Sequence, residues 1–263
     1  IACLEITDHS SCIEDHLFPS GGSQYTCKRD TPPYGDWAAI GLYAEDSKNV
    51  LLKDVNIHGL ASTGIQAGRL TDWTLENVRL VGNGLAGWNS DLVGDGSNSE
   101  NHGTLTFRKW VVEWNGCGET YPQEDHVACW GQEAGGYGDG AGFGGITSGH
   151  YIIEDSSFSY NTSDGLDMLY VRLPDSMIEI RRTVAVMNDG NQIKTTGNVS
   201  IENALIVGHC GYFHGMPSWN NGDDCRAAGD ALVLALNPGG QAKVINSTIT
   251  GNGNCLVVAE CAL

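Results

Sequence analysis

Three aspartates and one lysine are spaced so that a repeating fold could bring them together. Asp164 and Asp167 lie in the stretch NTSDGLDMLYV (161–171), Lys194 follows Asp167 by 27 residues, and Asp139 precedes Asp164 by 25 residues. Carboxylates held close together repel one another, and each takes up a proton more readily unless a cation lies among them. Calcium suits such a cluster because it binds about six to eight oxygen ligands in irregular geometry. If the four residues meet, the sequence predicts a cation site beside a lysine.

A repeat with a unit of 21–27 residues runs through the chain and could bring these residues together. Each unit opens on a polar residue, continues as an alternating β-branched or aromatic strand, breaks at Asn or Gly and resumes as a second short apolar strand, as in EDSSFSYNTSDGLDM (154–168). The opening residues are Asp54, Asn77, Lys109, Asp155, Arg182, Asn203 and Asn246. The alternation of apolar residues favours strands over helices.

A unit of two or three short strands cannot bury its apolar face alone and must stack on copies of itself. We therefore predict an all-β fold, a right-handed parallel β-helix, with residues 1–263 as one domain. In this prediction residues 1–45 form an irregular, disulfide-containing N-terminal part, and residues 46–263 form the coils. Loops are expected as insertions near 85–103, 117–149 and 212–230.

A column of polar residues follows six of the opening residues at a distance of six positions. Its members are Asn83, Asn115, Asn161, Asn188, His209 and Asn252. Asn tolerates the left-handed backbone of turns, and stacked Asn side chains can hydrogen-bond along a solenoid. We interpret the column as a structural ladder of turns.

Alignment of the second strands places Asp167 and Lys194 in one column, one coil apart. The same alignment puts Gln66, Asn89, Gly144 and Val257 in that column. Neighbouring strands are ~4.8 Å apart, so the side chains of Asp167 and Lys194 should leave the same face as near neighbours. The plainer interpretation is an exposed ion pair worth ~0–1 kcal/mol, with Asp164 serving only its turn.

Charge and composition narrow the function classes. A formal net charge of −18 argues against nucleic-acid binding, which needs clustered Lys and Arg. No apolar run approaches the ~18 residues of a membrane-spanning helix. Nine cysteines without a CxxC spacing argue against a zinc site and favour disulfides in an exported protein, secreted or periplasmic. The eight histidines show no HxH or HExxH spacing and are interpreted as scattered surface or turn residues.

The cysteines suggest local disulfides, because several lie close together in sequence. The expected pairs, each closing a short loop, are Cys117–Cys129, Cys210–Cys225 and Cys255–Cys261. Of Cys3, Cys12 and Cys27, one must find a partner elsewhere or stay free.

The segment NTSDGLDMLY, followed about one coil later by GNQIKTTG, resembles the family nine, pectate-lyase type, of polysaccharide lyases. The core of that family reads D-D-G-x-D, and this chain reads S-D-G-L-D (163–167), so that Ser163 stands where the family has its first aspartate. The resemblance implies a parallel β-helix with a calcium site made by Asp164, Asp167 and, by its spacing, Asp139. It also implies Lys194 as the catalytic base.

The chemistry that this resemblance implies is β-elimination in an acidic, uronate-containing polysaccharide. Calcium would neutralise the uronate carboxylate and acidify the proton on the adjacent ring carbon, which a neutral Lys194 would remove as the glycosidic oxygen leaves. Arg172 and Arg182, the nearest basic residues in sequence, could hold substrate carboxylates.

Two alternatives remain open from the sequence. The first is a non-catalytic β-helix that binds glycans or has a structural role. The second is an inverting glycoside hydrolase of the polygalacturonase kind, because NTSDGLD, NGDDC and NQIK echo three of its motifs. Asp164, Asp167 and Asp189 would then supply carboxylates about 6.5–9.5 Å apart. The charge of −18 opposes any acidic substrate unless calcium bridges the two partners.

Overall fold

The chain winds into stacked parallel strands. The computed structural model describes residues 1–10, 38–92, 100–124, 129–131, 138–217, 219–221, 225 and 229–261. Within these ranges the one helical element is a short 3-10 turn, Cys210–Phe213. None of the described segments forms a helix with the length and apolarity that a membrane span requires. The strands are numbered β1–β23 in chain order.

Among the described residues the larger sheet has 13 strands in two parallel ladders, and β3 and β5 run through both. The first ladder consists of β1 (Ala2–Thr7), β3 (Leu51–His58), β5 (Thr71–Val81), β7 (His102–Arg108), β11 (His150–Glu154), β14 (Met177–Arg181), β17 (Asn198–Glu202) and β21 (Ala242–Ile245). The second ladder continues from β5 with β8 (Val111–Glu113), β12 (Ser157–Ser159), β15 (Val184–Val186), β18 (Leu205–Gly208) and β22 (Thr248–Gly251).

A second sheet, with eight strands in the part of the chain that the structure describes, closes the solenoid. Its strands are β2 (Ile40–Glu45), β4 (Thr63–Gly68), β6 (Ala86–Asn89), β10 (Ala141–Gly142), β13 (Leu166–Met168), β16 (Ile193–Thr196), β20 (Leu232–Leu236) and β23 (Val257–Cys261). A separate parallel pair, β9 (Cys129–Gly131) and β19 (Trp219–Asn221), joins two inserted loops. One coil therefore passes through β11, β12 and β13 before β14 pairs with β11, which confirms the predicted right-handed parallel β-helix.

The opening residues of the repeat units have left-handed backbone. All seven have positive φ, from 48° at Arg182 and Asn246 to 56° at Asn203. Asn and Asp reach this region more readily than other non-glycine residues, which explains why they occupy five of the seven positions. The single left-handed residue redirects the strand from the first ladder to the second, so the repeat recognised in sequence is the bend of each coil.

The predicted Asn ladder is present and buried. Nδ2 of Asn83 donates to Oδ1 of Asn115 at 3.0 Å, Asn115 donates to Asn161 at 2.9 Å, and Asn161 donates to Asn188 at 2.8 Å. All four side chains are fully buried. Gln192 ends the ladder by accepting from Asn188 at 2.9 Å. His209 and Asn252 form a separate exposed pair at 3.2 Å.

Large apolar side chains fill the interior of the solenoid. Trp88 stacks on Phe143 with ring centroids 5.8 Å apart and meets Trp110 edge-on at 6.0 Å. All three are almost completely buried, and burial of such a side chain contributes about 2–3 kcal/mol. Because these contacts join neighbouring coils, each coil depends on the next for its stability.

The strands begin earlier than the sequence predicts. β1 pairs with β3, and β2 pairs with β4, so residues 1–45 contain two strands of the coils and are not irregular throughout. The predicted insertion at 85–103 likewise includes β6, the one at 117–149 includes β9 and β10, and the one at 212–230 includes β19. Residues 11–37 lie outside the described residues.

Two of the three predicted local disulfides are confirmed, Cys117–Cys129 and Cys210–Cys225. The third is wrong, because Cys255 is free and exposed. Cys261 ends strand β23, which begins two residues after Cys255. Cys3 is also free, and Cys12 and Cys27 lie outside the described residues.

Candidate functional site

The second sheet places Asp167 and Lys194 opposite each other. They are partners in the register of β13 and β16, as predicted. The same column contains Gly142, Asn89 and Gln66 on one side and Val233 and Val258 on the other. Gly144 and Val257, which the sequence alignment assigned to this column, lie outside it. Both column positions were assigned wrongly because each follows an insertion between coils, and the repeat does not predict the length of an insertion.

Lys194 joins two aspartates through its ammonium group. Nζ donates to Oδ2 of Asp164 and to Oδ2 of Asp167, each at 3.0 Å. The exposed fraction of the side chain is 19% for Lys194, 5% for Asp164 and 15% for Asp167. The plainer interpretation of an exposed ion pair is therefore wrong in one respect, because these charges are largely removed from water and interact more strongly than surface charges do.

Asp139 and Asp164 also belong to a second ladder of turns. Oδ1 of Asp139 accepts the backbone N–H of Asp164 at 3.0 Å, and Oδ1 of Asp164 accepts the backbone N–H of Asn191 at 2.7 Å. The pattern continues from Asn191 to Asp230 and from Asp230 to Cys255. One oxygen of each aspartate thus holds the next coil. Oδ2 of Asp164 binds Lys194, and Oδ2 of Asp139 faces the space beside Gly142.

A cavity of about 290 Å³ opens over these groups. Its lining includes Asp139, Asp164, Asp167, Lys194, Asp91, Asn89, Ser163, Trp88, Phe143 and Tyr170. Gly142 contributes to the space, because a Cβ at this position would stand 3.1 Å from Oδ2 of Asp139. The absence of a side chain between Asn89 and Asp167 in the column therefore keeps the carboxylates accessible from the cavity.

Burial and mutual repulsion raise the pKa values of the aspartates. For Asp139, burial, followed by the charges of Asp164 and Asp167, raises the pKa to about 7. For Asp167, burial and the charge of Asp164 raise the pKa to about 6, although Lys194 opposes this. Burial alone would lower the pKa of Lys194, but the two aspartates outweigh it and hold the pKa well above its usual range. In this arrangement Lys194 is an ammonium ion.

The cavity holds more carboxylates than cationic groups. Lys194 is the one Lys or Arg among its described lining residues, beside four aspartates. Carboxylate oxygens are the donors that calcium prefers, and a divalent cation would compensate the excess charge, so the donor set fits calcium. A compact cation site would need one oxygen from each of three aspartates within 4.8 Å of the other two. The carboxylates of Asp139, Asp164 and Asp167 do not meet this condition, although one other cluster among the described residues does. Cation binding therefore requires the ammonium group to withdraw from between the carboxylates.

The two arginines that were predicted to hold substrate carboxylates lie in different places. Arg172 is close to the cavity, with its guanidinium carbon 5.6 Å from the ring centroid of Tyr170, a lining residue that is 41% exposed. Arg182 is not among the lining residues. It is the left-handed residue between β14 and β15, and it pairs with Asp155 through bonds of 2.7 and 3.1 Å. Arg182 was predicted to bind substrate because it is close in sequence to the aspartates. It lies instead on the larger sheet, away from the cavity.

Asp189, a carboxylate of the hydrolase alternative, does not reach the cavity. Its side chain is fully buried, and it is not among the lining residues. Oδ2 of Asp164 and Oδ2 of Asp167 bind the same Nζ at 3.0 Å each, so they lie no more than about 6 Å apart, less than the ~6.5–9.5 Å of inverting hydrolases. The geometry therefore disfavours the inverting hydrolase.

Asp91 is a fourth aspartate at the cavity that the sequence analysis did not identify. It is exposed at the surface of the chain, yet partial burial of its carboxyl raises its pKa. Its carboxylate occupies the space that a side chain on Gly144 would need. β6 ends at Asn89, so Asp91 lies beyond the strand, where the alternation of strand faces no longer predicts the direction of a side chain.

No family model matches the chain, and no curated protein matches it. A solved structure described as the crystal structure of pectate lyase Pel9A is similar over 80% of this chain, with a TM-score of 0.46 and 15% sequence identity. This chain spans 55% of that chain. At this level of similarity no activity or substrate is transferred from that protein.

Proposed function

We propose that the protein is an exported, calcium-dependent polysaccharide lyase that cleaves a uronate-containing glycan by β-elimination. The observation that carries the proposal is the convergence of Lys194 with Asp164 and Asp167, each at 3.0 Å, at a cavity that Asp139 also lines. A lysine among carboxylates in an accessible cavity provides both parts that such a reaction needs, which are a cation site and a base. The two disulfides among the described residues support the exported setting.

The aspartates would hold the cation through the oxygens that face the cavity. Asp139 and Asp164 are suited to this because Oδ1 of each is fixed by a backbone N–H of the next coil, so the direction of Oδ2 is set in advance. Oδ1 of Asp167 is fixed within its own coil, where it accepts the N–H of Leu169 at 2.8 Å. When bound, calcium neutralises the carboxylate of a uronate and acidifies the proton on the adjacent ring carbon. Such prior orientation lowers the cost of forming the site.

Lys194 would act as the base, and its proton affinity depends on the same aspartates. As an ammonium ion between Asp164 and Asp167 it cannot accept a proton. Once these carboxylates are engaged with a cation, their effect on its pKa is removed, and burial favours the neutral amine. The ammonium proton would pass to water, and neutral Nζ would then take the proton of the ring carbon. A carbon–carbon double bond would form as the glycosidic oxygen leaves the neighbouring carbon and takes a proton from water. Lysine deprotonation is thereby coupled to occupancy of the cation site.

Tyr170 and Arg172 would contact the sugar chain beside the reaction centre. The exposed ring of Tyr170 offers a flat apolar face to a sugar ring, and the guanidinium of Arg172 can bind the carboxylate of a neighbouring uronate. A cation held by the aspartates of the cavity would also offset the repulsion between a protein of charge −18 and an anionic polymer.

A second candidate function is a non-catalytic, glycan-binding or structural β-helix. It is favoured by one observation, the participation of Asp139 and Asp164 in the turn ladder, which accounts for both residues without any substrate. Under this alternative Lys194 only compensates their charge.

The experiment that tests the proposal measures products from a panel of uronate polysaccharides. We expect ultraviolet absorbance from unsaturated uronate ends in the presence of calcium and none after addition of a chelator. New reducing ends without that absorbance would indicate hydrolysis and contradict the proposal. Retention of the polysaccharide without any cleavage would support the glycan-binding alternative instead.

A further inference from the structure

Outside the acidic cavity, one cluster of side chains has the composition of a metal site. His58 ends β3, His9 lies just after β1, and Glu119 lies in the loop that the disulfide Cys117–Cys129 closes. Strands β1 and β3 pair with Thr7 opposite His58, which brings both histidines to the same end of the first ladder. Three segments that are distant in sequence therefore meet at one point.

The three side chains direct ligand atoms towards a common centre. Nδ1 of His9 lies 3.1 Å from both carboxylate oxygens of Glu119, and Nδ1 of His58 contacts Oε1 of Glu119. One ligand atom from each residue lies within 4.8 Å of the other two, an arrangement that no other trio of His, Cys, Asp or Glu achieves among the described residues. Tetrahedral ligands at zinc bond lengths of about 2.0–2.1 Å stand about 3.3 Å apart. The 3.1 Å between Nδ1 of His9 and Glu119 is close to this spacing, whereas Nδ1 of His58 and Oε1 of Glu119 must move apart to admit an ion.

Two glycines make room for Glu119 over the coils. A Cβ on Gly59 would stand 2.8 Å from Oε2 of Glu119, and a Cβ on Gly82 would stand 2.9 Å from its Cα atom. Both glycines also have positive φ, 63° and 62°. The loop is thus seated where two side chains are missing, and the side chain of Glu119 is only 19% exposed. The carboxylate is held in place beside the histidines.

The hydrogen bonds of His58 define what its Nδ1 can do. Nε2 faces Oε1 of Glu5 at 3.0 Å, while Nδ1 faces Glu119. Carboxylates accept but do not donate, and a neutral imidazole has one N–H, so it can satisfy only one of the two. If Nε2–H donates to Glu5, the lone pair of a neutral His58 at Nδ1 points at Glu119, and either a proton or a metal ion between the two resolves this opposition. A histidine bound to a carboxylate through one nitrogen and to a metal through the other is a common arrangement at zinc sites.

We propose that His9, His58 and Glu119 bind one zinc ion, and that Glu5 orients His58 through its hydrogen bond. Two imidazoles and one carboxylate suit zinc, whereas calcium prefers oxygen ligands throughout. The side chain of His9 is 71% exposed, so water can fill the fourth position. The ion fastens the first strand and the disulfide-closed loop to the coil that ends at His58, which is a stabilising role.

The test uses the full chain with its disulfides intact, stripped with a chelator and then titrated with zinc in competition with a chromophoric chelator. We expect one zinc per chain. His58→Gln and Glu119→Gln should each weaken binding more than tenfold, and Glu5→Gln about tenfold because it only orients His58. His9→Gln should also weaken binding, and because His9 is exposed this variant should fold normally. Cobalt should give visible absorption bands with the unmodified chain and lose them with His58→Gln.

A matched control is the pair of His150 and Glu179, which lies on the same ladder with Nε2 2.5 Å from Oε1 and belongs to no such trio. His150→Gln should leave zinc affinity unchanged, and excess calcium should not compete. The proposal is overturned if the stripped chain takes up less than one zinc, if His150→Gln weakens binding as much as His58→Gln, or if neither His9→Gln nor His58→Gln changes the affinity.

Discussion

Replacement of Lys194 by methionine tests whether the ammonium group compensates buried carboxylates. Lys194→Met keeps the length of the side chain but removes the charge that Asp164 and Asp167 share at 3.0 Å. Removing one partner of a buried ion pair costs about 3–5 kcal/mol, and the residual exposure of the site, 5–19%, places the expected loss near the lower end, at about 3 kcal/mol. The free energy of unfolding, measured by urea denaturation in the presence of a chelator, gives this value directly.

Calcium should restore much of the stability that Lys194→Met loses, because the proposed cation site is then free of its competing ammonium group. Lys53→Met is the matched control. Lys53 binds Glu76 of the adjacent coil at 2.9 Å, but both side chains are more than 40% exposed, so the loss should be ~0–1 kcal/mol and independent of calcium. The reasoning is refuted if the two variants lose equal stability in chelator, or if calcium stabilises neither the Lys194 variant nor the unmodified chain.

Further predictions concern the ladder, the cavity and the pH. Asn161→Ala should lower the free energy of unfolding by about 3–4 kcal/mol, because it leaves several buried hydrogen-bonding groups unpaired, whereas Asn252→Ala at an exposed position should cost less than about 1 kcal/mol in the same urea assay. Gly142→Val should abolish the formation of unsaturated product, because the added side chain fills the cavity beside Asp139. It should change the free energy of unfolding by about 1 kcal/mol or less, because the side chain does not enter the core. In chelator, stability should fall from pH 5 to pH 8, because the folded state holds protons on Asp139 and Asp167, whose pKa values are raised to about 7 and about 6, and the unfolded state does not. Asp139→Asn should flatten that pH dependence, and a stability that rises with pH would contradict the assignment.

The architecture could be predicted because it depends on repetition. The ladder from Asn83 to Asn188 and the pairing of Asp167 with Lys194 recur at a fixed spacing, and stacking converts that spacing into contact. The left-handed backbone expected at the Asn column lies instead at the opening residues of the units. Where the spacing is interrupted the prediction fails. The two-residue strand β10 follows a long insertion, and there Gly142 takes the place predicted for Gly144.

Contacts between loops and coils could not be predicted from a repeat. Asp91 reaches the cavity from the coil below, and Arg182 faces the larger sheet, because side-chain direction depends on the exact position of each bend. The cluster of His9, His58 and Glu119 combines a strand end, a segment after another strand and an inserted loop, so no spacing in the sequence indicates it. Cys255 and Cys261 are close in sequence, yet an extended strand separates them.

The most direct test of the central claim is the rate of unsaturated uronate formation by the unmodified chain and by Lys194→Met, both in calcium and at equal folded concentration. The account predicts calcium-dependent product with the unmodified chain and a loss of at least about a hundredfold with the variant, the contribution expected of a general base. Equal rates for the two proteins, or product formed by the unmodified chain in chelator, would contradict it.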